Sequence, residues 1–197
     1  MPHPIWLVRH ATTEWSGRRW LGRRDLPLTD AGREEAQALA VRLAGSVPRG
    51  ASIVSSPARR AVETAEALAV RLGVAVEVDG DLREVDVGRT EGLTWAEVEA
   101  GFPDFAAALV ADARADWPGG ETADAIEKRV RAVWGRLLAR PGATIAVSHG
   151  GVIAGVLAEL GATAPSPLGP GGRSRWIRPA AAILLRSDAG RWLLEEA

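Results

Sequence analysis

The chain holds three histidines, and two of them, His10 and His149, close apolar runs: Ile5-Trp6-Leu7-Val8-Arg9-His10 and Thr144-Ile145-Ala146-Val147-Ser148-His149. Short apolar runs bounded by polar residues read as buried strands. In an open parallel sheet, ligands bind beyond the carboxyl ends of the strands, so both imidazoles can share one crevice. Arg9 directly precedes His10, and Ser148-His149-Gly150-Gly151 permits close backbone approach just before a helix N-terminus. An arginine, a helix terminus and two imidazoles suit an anion, most simply phosphate. A third strand end, after Ile53-Val54, runs into Ser55-Ser56-Pro57-Ala58-Arg59-Arg60. Two arginines here occupy the first turn of a helix, the end where the macrodipole favours acids. Guanidinium binds phosphate oxygens in bidentate fashion, so a phosphate clamp accounts for at least one of them better than a solvated helix start. The competing description is two ordinary loop histidines beside a solvated helix.

The elements that must position these groups follow from periodicity. Ile5–Val8, Ile53–Val54 and Thr144–Val147 are the expected strands. Asp30–Ala44 puts Ala36, Leu39, Ala40 and Leu43 on one helical face behind Thr29 as cap. Ala58–Leu72 repeats that pattern and stops at Gly73, with further helices expected at Thr122–Ala139 and Val152–Leu160. Strands alternating with helices predict an α/β fold, a mostly parallel central sheet flanked by helices on both faces. From Gly88 to Gly120 the pattern changes to short helical pieces, Trp95–Ala100 and Asp104–Ala113, broken by Gly101, Pro103 and Trp117-Pro118-Gly119-Gly120. This is expected to be a small inserted helical cap, with residues 1–197 forming one domain. Ala181–Arg186 and Arg191–Leu194 around Asp188-Ala189-Gly190 predict a C-terminal hairpin, and Pro165–Gly172 a surface loop.

Composition narrows the function. Across 197 residues, 47% are hydrophobic and 25% charged, which excludes intrinsic disorder. Basic and acidic residues nearly cancel, 24 against 25, which argues against a general nucleic-acid or membrane-surface binder. Cysteine is absent, removing disulfides, a thiolate nucleophile and cysteine zinc sites. No apolar run reaches spanning length and the N-terminal run is too short for a signal-peptide core, so a cytoplasmic protein is expected. Lys128 is the only lysine, and asparagine and tyrosine are missing, a bias that matches GC-rich codons. An arginine in this chain therefore indicates function only through its neighbours.

The residues around these strand ends match a family. Leu7-Val8-Arg9-His10-Ala11-Thr12-Thr13-Glu14-Trp15 resembles the arginine-histidine-glycine signature of the histidine phosphatase superfamily, the phosphoglycerate-mutase-like fold. The resemblance continues in order through Leu26-Pro27-Leu28-Thr29 with Gly32, Ser55-Ser56 with Arg60-Ala61 and Thr64-Ala65, and Leu82-Arg83-Glu84 with Glu91-Gly92-Leu93. It ends with Pro118-Gly119-Gly120-Glu121-Thr122 and Val147-Ser148-His149-Gly150. Six such motifs in sequence are highly specific. The resemblance implies that His10 is the nucleophile, that Arg9, Arg60 and His149 surround the phosphoryl oxygens, and that Glu84 is the proton donor. It also places Thr13 and the backbone of Gly22 on the rim, and selects Arg60 over Arg59 because Arg60 precedes Ala61. Neutral imidazole is a competent nucleophile, and two displacements through a phosphohistidine divide the barrier. A free glutamate titrates near about 4.3, so Glu84 needs burial or a nearby phosphate charge to keep its proton. Two positions depart from the family pattern. Ala11 replaces the signature glycine, and Ser16 stands where many members have an asparagine that reaches the phosphate; serine keeps a hydroxyl donor with shorter reach.

Cofactor-dependent mutases of this family hold a carboxylate with tyrosine, lysine and arginine residues in the cap. This chain has no tyrosine, and Lys128 lies beyond the cap. The expectation is therefore a phosphomonoesterase that hydrolyses small phosphorylated metabolites, resembling broad-specificity and α-ribazole-phosphate phosphatases, without cofactor or metal. Its expected partner is a small phosphorylated substrate, with no nucleic acid and no membrane, and the oligomeric state is left open between a monomer and a homodimer. Trp15, Trp20, Trp95 and Trp117 stand in mouth or cap segments as ligand wall or as packing, and Arg89 and Arg114 are candidates for a second anionic group. A phosphoglycerate mutase, a metal-dependent hydrolase using both histidines, and an inert binding protein on the same fold remain as alternatives.

Overall fold

The computed structural model describes residues 3–111, 114–161, 177–188 and 191–197. Its strands are β1 (Ile5–Arg9), β2 (Ser52–Ser55), β3 (Val76–Val78), β4 (Thr144–Ser148), β5 (Ala182–Asp188) and β6 (Arg191–Glu196). The helices are α1 (Asp30–Ala44), α2 (Arg59–Leu72), α3 (Trp95–Gly101), α4 (Pro103–Val110), α5 (Ala123–Leu138) and α6 (Gly150–Glu159). One six-stranded sheet has the order β3-β2-β4-β1-β5-β6. The pairs β2–β3, β2–β4 and β1–β4 are parallel, whereas β5 runs antiparallel to both β1 and β6. The expected α/β fold with a mostly parallel sheet is present, and so is the C-terminal hairpin. Residues 165–172, expected as a loop, lie outside the described residues.

Alternation along the strands explains the two layers. Trp6, Val8, Ile53, Ile145 and Val147 face one side and pack with Leu39, Leu43 and Leu68 of α1 and α2. Ile5, Leu7, Val54 and Ala146 face the other and pack with Val130, Val133, Ile153 and Val156 of α5 and α6. A strand apolar on both faces must be covered on both, so these short runs are continuous rather than alternating. Thr29 caps α1 by accepting from the Gly32 N–H at 3.0 Å, and Gly73 ends α2 with φ of 70°. Gly32 is needed for packing as well: a Cβ there would run into the Thr12 carbonyl, where α1 meets the loop that follows β1.

Helices α3 and α4 form a third, smaller cluster of their own. Val98, Phe105 and Ala106 are buried there with Trp20, Trp95, Phe102 and Trp117 packed around them. The Trp117 ring lies 5.2 Å from that of Trp20 and 5.0 Å from that of Phe105. Three of the four tryptophans singled out in the sequence thus pack against each other's surroundings. Strand β3 has no counterpart among the sequence-expected strands; two of its three residues are exposed at the sheet edge. Helix α6 begins at Gly150, earlier than expected, because His149 with extended backbone serves as its N-cap. No helix among the described residues is long and apolar enough to cross a membrane.

Candidate active site

Three neighbouring strands, β2, β4 and β1, end on the same side, and their next residues converge. The β1–β4 register pairs Arg9 with Ser148, and the His10 N–H continues the ladder to the Ser148 carbonyl at 3.0 Å. His10 and His149 therefore sit side by side on adjacent strands, with ring centroids 5.1 Å apart and planes tilted by 59°. That separation matches the roughly 4.8 Å spacing of paired strands. The β2–β4 register pairs Ser55 with Val147, and the Ser56 N–H donates to the Val147 carbonyl at 2.9 Å, which carries Ser56 up beside His149.

The His10 ring is oriented by its own loop. Nδ1 lies 2.8 Å from the Ala11 carbonyl oxygen, which can only accept, so Nδ1 carries the proton and Nε2 keeps its lone pair. The Ala11 N–H in turn donates to Thr64 Oγ1 at 3.0 Å, and that hydroxyl donates to the Arg60 carbonyl at 2.7 Å. Burial, reinforced by the nearby Arg9 and Arg60 charges, pushes the His10 pKa well below the ordinary imidazole value. His149 is pushed the same way by burial and then by Arg60, His10, Arg9 and Arg129. Both rings are thus neutral at pH 7, as a nucleophile requires of His10. His149 Nε2 pairs with Ser56 Oγ at 2.8 Å, while its buried Nδ1 has no protein partner.

Arg60 is fully buried at 0% exposure, and its guanidinium is locked by the carbonyls of Gly22 and Arg24, each at 2.8 Å. Its Nε has no partner. Arg9 donates to the Ile177 carbonyl at 2.8 Å and likewise keeps a buried, unpaired Nε. Burial lowers both arginines from their usual range, opposed by Glu84. Arg59 points elsewhere: it is exposed and pairs with Glu63 at 2.7 Å.

Glu84 reaches this cluster from the chain after β3. Its carboxylate accepts from the Val85 N–H at 2.9 Å and from the Gly151 N–H at 3.2 and 3.3 Å, in the first turn of α6. Desolvation raises its pKa, outweighing the opposing pull of Val85, Arg60, Arg9 and Gly151. Gly151 makes this approach possible, since a Cβ there would lie 2.6 Å from Glu84 Oε1. The raised carboxyl beside two cations has the properties of a proton donor.

Other expected site residues are placed differently. The Ser16 hydroxyl accepts from the Thr13 N–H at 2.9 Å and lies 3.1 Å from Thr13 Oγ1, so serine here closes a turn with Thr13. The Gly22 N–H donates to Glu91 Oε1 at 2.8 Å, so Gly22 bears on the site mainly through the carbonyl that holds Arg60. Arg114 is engaged by Asp124 and Glu127, and Arg89 lies over the Phe102 ring. Arg114 is thus not a spare cation for a second anion. Among the described residues, no three acidic or histidine side chains converge to hold a metal ion.

Supporting residues to which the sequence reading gave no site role surround these groups. Glu91 gathers the N–H groups of Gly22, Arg23 and Arg24, and so fixes the loop whose carbonyls hold Arg60. Arg129 forms a largely buried pair with Glu121 at 2.8 Å and donates to the carbonyls of Asp81 and Arg83, bracing the chain just before Glu84. Glu35 accepts from the Thr12 N–H and hydroxyl. The only sequence signal for Glu91 and Glu121 was their place in the family motifs.

An α/β sheet whose strand ends gather two neutral imidazoles, two guanidiniums and one raised carboxyl is an anion site suited to phosphoryl groups. The chain belongs to the histidine phosphatase superfamily (branch 1), whose sequence model matches residues 5–196. Glucosyl-3-phosphoglycerate phosphatase of Mycolicibacterium vanbaalenii is 36% identical over 209 residues, covering 96% of this chain and 91% of that protein. The native structure of a mycobacterial glucosyl-3-phosphoglycerate phosphatase superposes with a TM-score of 0.79 at 31% identity, covering 100% of this chain and 98% of the other. Phosphoglycerate mutase-like protein 4 of Arabidopsis thaliana is 35% identical over 155 residues, covering 76% of this chain and 67% of that protein.

Proposed function

We propose that this protein is a phosphoric monoester hydrolase that transfers the phosphoryl group of a small metabolite to His10 and then to water. The observation that carries the reading is the His10 ring, whose Nδ1–H is held by the Ala11 carbonyl so that Nε2 is a neutral nucleophile. Nε2 attacks phosphorus as the ester oxygen leaves, and Glu84 gives that oxygen its proton. The resulting Glu84 carboxylate then takes a proton from water, which attacks the phosphohistidine and releases inorganic phosphate. Arg9, Arg60 and His149 stabilise the charge on the equatorial oxygens, and Thr13 and Ser16 shape the turn beside them.

Residues 88–120 serve as a cap over this site, with the whole chain acting as one domain in the cytoplasm, alone or as a homodimer. The names of the relatives make phosphorylated glycerate derivatives the first substrates to try. Hydrolysis is favoured over mutase chemistry because the cap has no tyrosine or lysine to hold a phosphoglycerate carboxylate, and Arg114 is paired with Asp124 and Glu127. Phosphate release from p-nitrophenyl phosphate, followed by a panel of phosphorylated metabolites, tests the reading, with vanadate expected to compete. Efficient isomerisation of 3-phosphoglycerate in the presence of 2,3-bisphosphoglycerate, without phosphate release, would overturn it.

A further inference from the structure

Beside the reacting groups, one buried hydroxyl has a proton whose destination decides the chemistry of His149. Ser56 is fully buried, and its Oγ accepts from the Ala58 N–H at 3.2 Å. The same oxygen lies 2.8 Å from His149 Nε2. A hydroxyl has one proton to donate, and the Ser56 side chain is fully buried, with Ala58 and His149 as its partners. Were Nε2 protonated, Ser56 Oγ would accept from both Ala58 and His149, and its own proton would be left with no acceptor. The alternative satisfies both partners: Ser56 donates to Nε2, and the neutral ring carries its proton on Nδ1. That Nδ1 is the buried atom without a protein partner, on the ring beside His10.

We propose that Ser56 is a positioning residue for phosphoryl transfer, fixing His149 as the tautomer whose Nδ1–H donates to a phosphoryl oxygen. A bare Nδ1 would present a lone pair to a negatively charged oxygen, so the tautomer determines whether His149 attracts or repels the transferring group. The backbone enforces the pairing: Ser56 extends the β2–β4 ladder through its N–H to Val147, and His149 follows β4 directly. Pro57, with no N–H to donate, then turns the chain into α2. The inference rests on the phosphomonoesterase reading, yet the tautomer itself can be measured without turnover.

The test labels the full chain with ¹⁵N-histidine, which gives only three rings to assign. His149→Gln identifies the His149 signals. The expected spectrum shows His149 with Nδ1 protonated and Nε2 bare. In Ser56→Ala that tautomer gives way to the Nε2–H form, and kcat on p-nitrophenyl phosphate falls by at least about tenfold. The ceiling is the roughly hundredfold or larger loss expected from removing one preorganised donor. A wild-type Nε2–H signal overturns the inference, and so does a Ser56→Ala variant that keeps both the Nδ1–H tautomer and full kcat. If Ser56→Ala does not fold, the wild-type spectrum still decides. A wild type with the expected tautomer but no phosphatase activity defeats the functional reading and leaves the tautomer assignment standing.

Discussion

Replacing Glu84 by glutamine preserves the side chain's shape and its acceptance of the Val85 and Gly151 N–H groups, but removes the transferable proton. General acid catalysis typically contributes about 10²–10⁴ in rate. At about 1.36 kcal/mol per decade that is roughly 2.7–5.4 kcal/mol of barrier. Alkyl phosphates leave as poorly stabilised alkoxides and should bear that full loss in kcat/KM. p-Nitrophenolate leaves without help and should lose less than about tenfold. The variant also carries a stability signature of opposite sign. Burial raises the Glu84 pKa, so the folded state holds the proton to higher pH than the unfolded chain does. Stability from this group is present below the ordinary carboxylate pKa and is lost as pH rises through the raised value. Glu84→Gln should therefore match wild type in Tm near about pH 4 and exceed it at pH 8. Paired kcat/KM measurements on an alkyl and a p-nitrophenyl ester, with thermal melts across that range, supply both readings. Equal losses on the two esters, or a Tm difference independent of pH, would refute the reasoning.

Arg60→Ala and His149→Ala should each lower kcat by roughly two or more orders of magnitude, the scale of one preorganised donor, and a change confined to KM would make them simple binding residues. Gly151→Ala, which places a Cβ 2.6 Å from Glu84 Oε1, should displace the carboxyl and reproduce the alkyl-ester selectivity of the Glu84→Gln loss, approaching about a hundredfold. His10 and His149 have depressed pKa values, so their contribution to stability is present above about pH 6.5 and lost as pH falls. His149→Gln should accordingly reduce the slope of unfolding free energy with pH below that point by about 1.36 kcal/mol per unit, read by denaturant titration.

The elements that hold the site were the legible ones, because their patterns are local. Helix α1 spans the residues expected from its apolar spacing and Thr29 cap, and the strands anticipated at Ile5–Val8 and Thr144–Val147 are present, each one residue longer, to Arg9 and Ser148. Strand β3 was not legible: Val76-Glu77-Val78 is short and lies at an exposed edge, so its identity comes from pairing with β2. In the site, His10 and His149 could be read from strand ends, and the helix start offered Arg59 and Arg60 together, between which the family resemblance selected Arg60. Glu84 sits in irregular chain, where nothing local distinguishes a proton donor from a solvated glutamate, and only the family resemblance singled it out. Its raised pKa comes from desolvation in the folded chain, against the opposing pull of Gly151, Arg60 and Arg9, all distant in sequence. Ser56 and His149 are 93 residues apart, and Glu91 and Gly22 are separated by 69. Such pairings arise from how loops meet above the sheet, which periodicity does not encode.

The central assignment, His10 Nε2 as the atom that takes the phosphoryl group, is tested most directly by trapping the intermediate. Glu84→Gln given p-nitrophenyl phosphate should pass the first transfer but lack the base that activates water, so the adduct should accumulate. A rapid quench followed by peptide mapping should find one acid-labile, base-stable phosphoryl group on His10. It should sit at Nε2, because Nδ1 is held by the Ala11 carbonyl. His10→Ala should show neither adduct nor turnover. A phosphoryl group on another residue, or undiminished hydrolysis by His10→Ala, would contradict the assignment.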